Sequence, residues 1–354
     1  MDNPRKRLCQ RDKESESETD QLYFNGYASI EVHEEMLMDT VRTMTYREAI
    51  LKNQELFKDK VIADIGAGTG ILSIFCIHAG AKKVYAIEAS NMVVQTQLVI
   101  KENGMDSKIS VIKGKVEDIV LPEKVDIIVS EWMGYCLLYE SMLKSVIHAR
   151  DTWLKSNGYL FPSTATLYIA PFVDEDYEDR LGLWEDMASR YKVAMKSMIP
   201  FAKKCISANV ELKQLMMEDI VAPPVQVCSL AIHQVTLHDI ENIQQNFEFK
   251  CYGWNRVHGF SLWFDVEFPG NIILSTSPFT ELTHWSQVVL YVHEPFQTVQ
   301  DTTIKGKIKL EKGKQPRDLA IQLKFAVDDS EMKEQLYDTG YWTTGISAVI
   351  SPDR

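Results

Sequence analysis

The chain has 354 residues, 45% of them hydrophobic, and its 50 acidic against 38 basic side chains give a formal net charge of -12. That is enough apolar material for a core in each of two domains, which excludes a disordered chain. The acidic balance repels a phosphate backbone and suits a cationic ligand, so no direct nucleic-acid binding is expected and a basic peptide is the better partner.

Residues 1–20 are charge-dense, with PRKR (Pro4 to Arg7) ahead of ESESE (Glu14 to Glu18), a composition expected to form a flexible tail. Its basic cluster fits a nuclear-import address or a plain solvated charge run. No secretory signal is evident, and no apolar run reaches the roughly 18 to 20 residues of a membrane span, so a soluble intracellular protein with no membrane contact is expected. The six cysteines lack CxxC pairs and zinc-spaced histidines, so reduced thiols and no metal site are expected.

From Val32 to Leu51, Val32, Met36, Leu37, Val41, Met44, Ile50 and Leu51 recur at mainly helical spacing. This predicts one helix carrying His33, Asp39 and Arg42. Strand patterns follow at Val61 to Ile65, Val84 to Ile87, Ile109 to Lys113, Val125 to Ser130 and Tyr159 to Phe161, with helical patterns between them. Such alternation predicts an α/β, Rossmann-like domain with a parallel sheet covered by helices on both faces.

After Pro162 the texture becomes β-rich, with runs at Thr166 to Ala170, Val225 to Val235, Asn246 to Tyr252, Gly259 to Phe268, Trp285 to Val292, Thr303 to Leu310 and Leu319 to Val327. An antiparallel barrel or sandwich is expected. One interruption, Asp174 to Lys204, places Leu181, Trp184, Met187 and Tyr191 at helical intervals, a stripe that must pack on its own barrel or on another subunit. The expected organisation is a tail (1–20), N-terminal helices with a cofactor domain (21–162) and a β domain (163–354).

VIADIGAGTG, Val61 to Gly70, is a strand entering Gly66, Gly68 and Gly70 ahead of a helical ILSIFCIHAGA. Glycines permit a tight turn and close ligand approach, and the helix start offers free N–H groups. The dinucleotide fingerprint requires glycine where this chain has Ile71, so the match is to GxGxG. Glu88 ends the next strand, where a carboxylate can accept both hydroxyls of a ribose. Glu117, after the third strand, could hold an adenine amino group or stand as a surface charge. A GxGxG loop with an acid on the second strand suits S-adenosylmethionine, whose carboxylate tail Arg42 could bind bidentately. Taken alone, the loop also fits an ordinary strand-to-helix turn, and Arg42 an ordinary surface charge.

SEWMGYCLLYESML, residues 130–143, sets Glu131 and Glu140 nine residues apart in apolar and aromatic company. Carboxylates seldom remain in such surroundings without a cationic partner, and the expected partner is the substrate. An arginine guanidinium fits: it stays protonated, its lone pairs are delocalised, and two carboxylates can grip it and aim one nitrogen at a methyl group.

SEWMGYCLLYESML, VIADIGAGTGILSIF, VHEEMLMDTVRT and STSPFTELTHW together resemble the protein arginine N-methyltransferase family, over a span from about Asp20 to the C-terminus. The resemblance implies that Glu131 and Glu140 are the catalytic pair, with His284 and its paired acid Asp39 helping to orient the site or pass on a proton. It implies His33, Arg42, Gly66, Glu88 and Glu117 as cofactor contacts. Tyr23 and Tyr27 become aromatics of an N-terminal helix folding over the site, and Trp285 a further substrate-pocket residue. Met36 and Met142 match methionines that leave room for a second methyl, hence a type I enzyme making asymmetric dimethylarginine. A β-barrel with an arm at about 174–204, a homodimer, nuclear residence, and histone tails among the substrates with a role in chromatin and transcription complete the implied picture. Without it, a methyltransferase for a small molecule or nucleic acid, or a non-catalytic module on the same fold, remains open.

Overall fold

The computed structural model describes residues 20–340, so the PRKR and ESESE stretches, and the chain beyond Gly340, lie outside the described residues. Asp20, grouped by composition with the tail, stands in a helical segment over residues 20–26, α1. Two helices follow, α2 (Ile30–Met38) and α3 (Thr40–Lys52), where the apolar spacing predicted one. The break falls at Asp39, whose extended backbone and carboxylate, accepting from the Arg42 N–H, cap the second helix. Helical spacing alone does not register this break, because a capping residue can occupy a helix-compatible position. A short helix α4 (Gln54–Phe57) leads into the sheet.

The first sheet is wholly parallel, built from β1 (Val61–Ile65), β2 (Lys83–Glu88), β3 (Ile109–Lys113), β4 (Val125–Ser130) and β5 (Leu154–Phe161) in the order β3-β2-β1-β4-β5. Helices α5 (Ile71–His78), α6 (Val93–Glu102) and α7 (Leu143–Trp153) are interleaved with these strands. Every residue of β1 is buried, as a central strand covered on both faces requires. Chain order reverses between β1 and β4, which opens a crevice at their carboxyl ends, where such folds bind ligands. Gly66 follows β1 and Glu131 follows β4, so topology alone brings the glycine loop beside the first glutamate.

Beyond Pro162 the strands are antiparallel. β6 (Thr164–Phe172), β7 (Val210–Lys213), β8 (Val225–Ala231), β10 (Asn255–Phe268) and β12 (Gln287–Thr298) pair in the order β7-β12-β10-β6-β8, with β11 (Ile272–Ser275) on β10. A second sheet runs β15-β14-β13-β9, from β9 (Asn242–Lys250), β13 (Thr303–Lys312), β14 (Leu319–Val327) and β15 (Lys333–Asp338). Ile321, Leu323 and Phe325 alternate inward along β14, the period-two pattern of a barrel-like layer with one face dry. The short β7, β11 and β15 have no counterpart among the sequence-predicted strands.

The helical interruption is two helices, α8 (Asp176–Tyr191) and α9 (Ile199–Ala208), ending slightly beyond the expected Lys204. Tyr177 and Leu181 pack into a barrel cluster with Phe172, Trp263 and Tyr291, while Leu183, Tyr191 and Phe201 remain exposed. The sheet and the barrel share one core, closed at the junction by the aromatic contacts Phe57–Phe161, Phe161–Phe268 and Tyr46–Phe268. Each fully buried side chain of this kind stabilises the fold by about 1.5 to 3 kcal/mol. Tyr46 also donates its hydroxyl to the Ser130 carbonyl at 3.0 Å, which fixes α3 against the end of β4, one residue before Glu131.

Candidate active site

The glycine loop is built for close approach. Gly66 lies at φ +72°, a region that L side chains rarely adopt, and a Cβ there would meet Met142 Cε at 2.4 Å. Glu88, at the end of β2, is buried and braces the loop, accepting from the Gly68 N–H at 2.8 Å and the Ser90 N–H at 2.7 Å. Each carboxylate oxygen retains a lone pair for a further donor. His33 lies over Gly68, and its Nε2 is 2.9 Å from the Tyr27 carbonyl. Glu117 is exposed at the rim and accepts from the Ser145 hydroxyl at 2.7 Å.

Asp39 holds two elements together. Besides capping α3, its Oδ2 accepts from the backbone N–H of His284 at 2.9 Å and lies 2.7 Å from His284 Nδ1. Burial acts to raise the Asp39 carboxyl, but the His284 side chain and the two backbone donors outweigh it and hold the group below its ordinary value. The adjacent Trp285 is buried and donates its indole N–H to the Met133 carbonyl at 2.8 Å. This ties the loop after β11 to the glutamate loop.

Arg42 is placed differently from the sequence expectation of a cation waiting for an anionic tail. Its Nε and Nη2 both donate to Glu131 Oε2, at 3.1 and 2.9 Å, while Nη1 reaches the Met36 carbonyl and the Thr43 hydroxyl. The side chains of this pair are only 7% and 10% exposed. The expectation that both loop carboxylates lack a resident cation therefore fails for Glu131: Arg42, 89 residues away in sequence, supplies one.

Glu140 is held otherwise. Its Oε2 accepts from the hydroxyls of Tyr23 at 3.0 Å and Tyr27 at 2.7 Å, so α1 and the turn after it lie across the loop. Burial, reinforced by the Glu131 charge, raises its carboxyl above the ordinary 4.5, against the opposing effect of the two tyrosines and Arg317. The backbone is left-handed at Cys136, Leu137, Glu140 and Ser141, none of them glycine. Arg317, from the β13–β14 turn and absent from the sequence-predicted set, fastens this segment: its Nη1 donates to the Glu140 carbonyl at 2.6 Å.

Two cavities meet here. One, of about 300 Å³, is lined by His33, Arg42, Gly66, Gly68, Glu88, Glu117 and Met142. The other, of about 180 Å³, is lined by Glu35, Tyr135, Tyr139, His284 and Trp285. Tyr23, Tyr27, Met36, Glu131 and Glu140 line both, so the residues that the sequence singled out border the two cavities except Gly70, which caps α5, and Asp39, which reaches the site through His284. The arrangement is two adjoining chambers with two carboxylates, Glu131 and Glu140, in the wall they share.

Comparisons with known proteins show which proteins the chain is similar to. A family model described as the arginine methyltransferase oligomerization subdomain matches residues 163–330, and one described as ribosomal protein L11 methyltransferase matches residues 40–163. Protein arginine N-methyltransferase 6 of Xenopus laevis is 46% identical over 324 residues, 90% of this chain and 95% of the relative. The Danio rerio protein of the same name is 44% identical over 320 residues, 89% and 92% of the two chains. Among solved structures, the Trypanosoma brucei PRMT1 enzyme-prozyme heterotetrameric complex with AdoHcy superposes with a TM-score of 0.80 at 34% identity, covering 88% of this chain and 99% of that one.

Proposed function

The chain belongs to the protein arginine N-methyltransferase family, and from that premise we propose that Glu131 and Glu140 together grip an arginine guanidinium while it is methylated. The activity is S-adenosylmethionine-dependent transfer of methyl groups to arginine side chains of proteins. The observation that carries the clamp is the position of both carboxylates in the wall common to the two cavities.

The residues present fit the cofactor, which supplies an electrophilic methyl group on a sulfonium. Gly66 leaves no Cβ between loop and ligand, Glu88 offers lone pairs to ribose hydroxyls, and Glu117 stands at the rim to accept from an adenine amino group. Arg42 lines the same cavity, and a cofactor carboxylate there would share the guanidinium that already holds Glu131. His33 packs on the glycine loop and, through Tyr27, links it to the segment covering Glu140.

On the acceptor side, a guanidinium entering past Tyr135 and Tyr139 meets Glu140 and Glu131. Carboxylates bonded to two of its nitrogens draw positive charge toward themselves and turn the third toward the methyl donor. They also offset repulsion between two cations, at about 4 kcal/mol for unit charges 4 Å apart at an effective dielectric near 20. Asp39 orients His284 at the edge of this chamber, where it can help to pass on the released proton.

The finer reading is a type I enzyme, with Met36 and Met142 bordering the methyl-transfer region and leaving space for a second methyl on the same nitrogen. It includes histone tails as substrates, nuclear residence with a role in chromatin and transcription, and a homodimer formed through α8 and α9. The exposed Tyr191 and Phe201 of that arm, together with the oligomerization description of the matching family model, support the dimer. Labelled methyl transfer to arginine-rich histone peptides, with RNA and metabolites as parallel acceptors, tests the substrate class and the product. Asymmetric dimethylarginine on the peptides is expected; symmetric product overturns the type I reading, and label only on RNA or a metabolite overturns the protein substrate.

A further inference from the structure

Glu140 owes its position to a residue that lies 177 positions away. The Glu140 N–H donates to the Arg317 carbonyl at 3.0 Å, and Arg317 Nη1 donates back to the Glu140 carbonyl at 2.6 Å. Next to this reciprocal pair, the Ser141 hydroxyl donates to the Pro316 carbonyl at 3.2 Å. These bonds fall on two residues with left-handed backbone, Glu140 at φ +74° and Ser141 at φ +59°. Side chains other than glycine rarely hold that conformation unless the surroundings over-determine it.

The same guanidinium also grips the covering helix. Its Nη2 donates to Asp20 Oδ1 at 2.6 Å, and its carbon stands 3.8 Å from the centroid of the Tyr23 ring. Lys115, which follows β3 and lines the larger cavity, binds the other oxygen of Asp20 at 2.5 Å. The ring closes when the Tyr23 hydroxyl donates to Glu140 Oε2. One planar cation thus joins three segments of the chain: the covering helix, the glutamate loop and the β13–β14 turn.

We propose that Arg317 is a positioning residue that couples closure of the N-terminal helix to the setting of Glu140, so that the carboxylate is correctly aimed only while the helix is docked. This rests on the assignment of Glu140 to the guanidinium clamp. A lysine cannot replace the device: it keeps the charge but lacks the planar fork that serves Asp20 and the Glu140 carbonyl from two nitrogens while its face lies on Tyr23.

The test compares Arg317→Lys, Asp20→Asn and the double variant in the full chain, with S-adenosylmethionine and an arginine-rich peptide. Each single variant should lower kcat on the order of 10- to 100-fold, the loss typical of a misplaced reacting group. S-adenosylhomocysteine affinity, measured by calorimetry, should fall by much less than kcat, because the glycine loop is unaltered although Asp20 and Arg317 border the larger cavity. The double variant should be about as slow as the worse single one, because both break the same link. Multiplying kcat losses, or unchanged kcat in Arg317→Lys, overturns the proposal. Amide hydrogen exchange with S-adenosylhomocysteine bound gives a readout independent of turnover: Arg317→Lys should accelerate exchange both at residues 23–27 and at Glu140, and acceleration at only one segment overturns the coupling. If the unaltered protein methylates no arginine peptide, the clamp assignment has failed, and the exchange experiment still decides whether the two segments are coupled.

Discussion

Replacing Glu140 or Glu131 by glutamine removes the same charge from the same wall, yet the two substitutions should move stability in opposite directions. Glu140 is an acid whose carboxyl is raised by burial, so above its folded pKa the ionised form costs the fold free energy. A neutral isostere keeps an oxygen for the two tyrosine hydroxyls, and Glu140→Gln should melt at or above the wild-type temperature at pH 7.5. Glu131 instead neutralises Arg42 in a pair that is 7% and 10% exposed. Deleting one charge of a buried pair costs roughly 3 to 5 kcal/mol, and the hydrogen bond that a glutamine oxygen retains reduces this to about 2 to 3 kcal/mol. At roughly 2 to 4 °C per kcal/mol for a domain of 150 to 250 residues, Glu131→Gln should melt about 4 to 12 °C lower. Both variants should lose turnover: about 4 kcal/mol of charge compensation at 4 Å is about three powers of ten at 1.36 kcal/mol per tenfold, so a fall on the order of 100- to 1,000-fold is expected. Scanning calorimetry and single-turnover methyl transfer on the same preparations test both halves. Equal destabilisation by the two substitutions would refute the assignment of the buried pair to Glu131, and near-normal turnover in both would refute the clamp.

Two other expectations follow from the same geometry. Because Glu140 must be ionised to hold a cation and its carboxyl is raised, kcat/KM should rise with pH through an acid limb above 4.5; the same raised value means that this group adds stability as pH falls through it. A pH–rate profile whose acid limb lies at or below 4.5 contradicts the burial argument. Gly66→Ala places a methyl group at φ +72°, 2.4 Å from Met142 Cε, and the left-handed backbone alone costs an alanine about 1 to 2 kcal/mol. S-adenosylhomocysteine affinity should fall about tenfold or more by calorimetry, and adding Met142→Ala should relieve the clash without restoring full affinity; unchanged affinity in Gly66→Ala refutes the close approach.

What the sequence disclosed about this site is what lies within a few residues of itself. The glycines after β1, the acid that ends β2 and the apolar alternation of β14 are local patterns, and they need no knowledge of distant partners. Asp39 was readable as a polar residue in an apolar-spaced stretch, but not as the point where one helix ends and another is capped, since capping leaves the spacing nearly intact. The strands β7 and β11 have four residues each, too few for a period of two to stand out, and β15, KEQLYD, buries Gln335 and Tyr337 while exposing Leu336. Its polarity pattern runs against its burial.

The ionic arrangement was the least legible part, for a physical reason. A carboxylate among apolar residues announces that it requires a partner, but not which one: Glu131 finds Arg42 across 89 positions, and Glu140 finds Tyr23 and Tyr27 across more than 100. Arg317 sits in EKGKQPRDLA, a polar segment with a glycine and a proline that reads as an ordinary turn with surface charges. Only the antiparallel register of β13 and β14, which pairs Lys312 with Leu319, sets that turn against the glutamate loop. The barrel therefore does more than present a surface to the substrate: it supplies Arg317, which bonds the Glu140 segment, and His284, which bonds Asp39 and lines the second cavity.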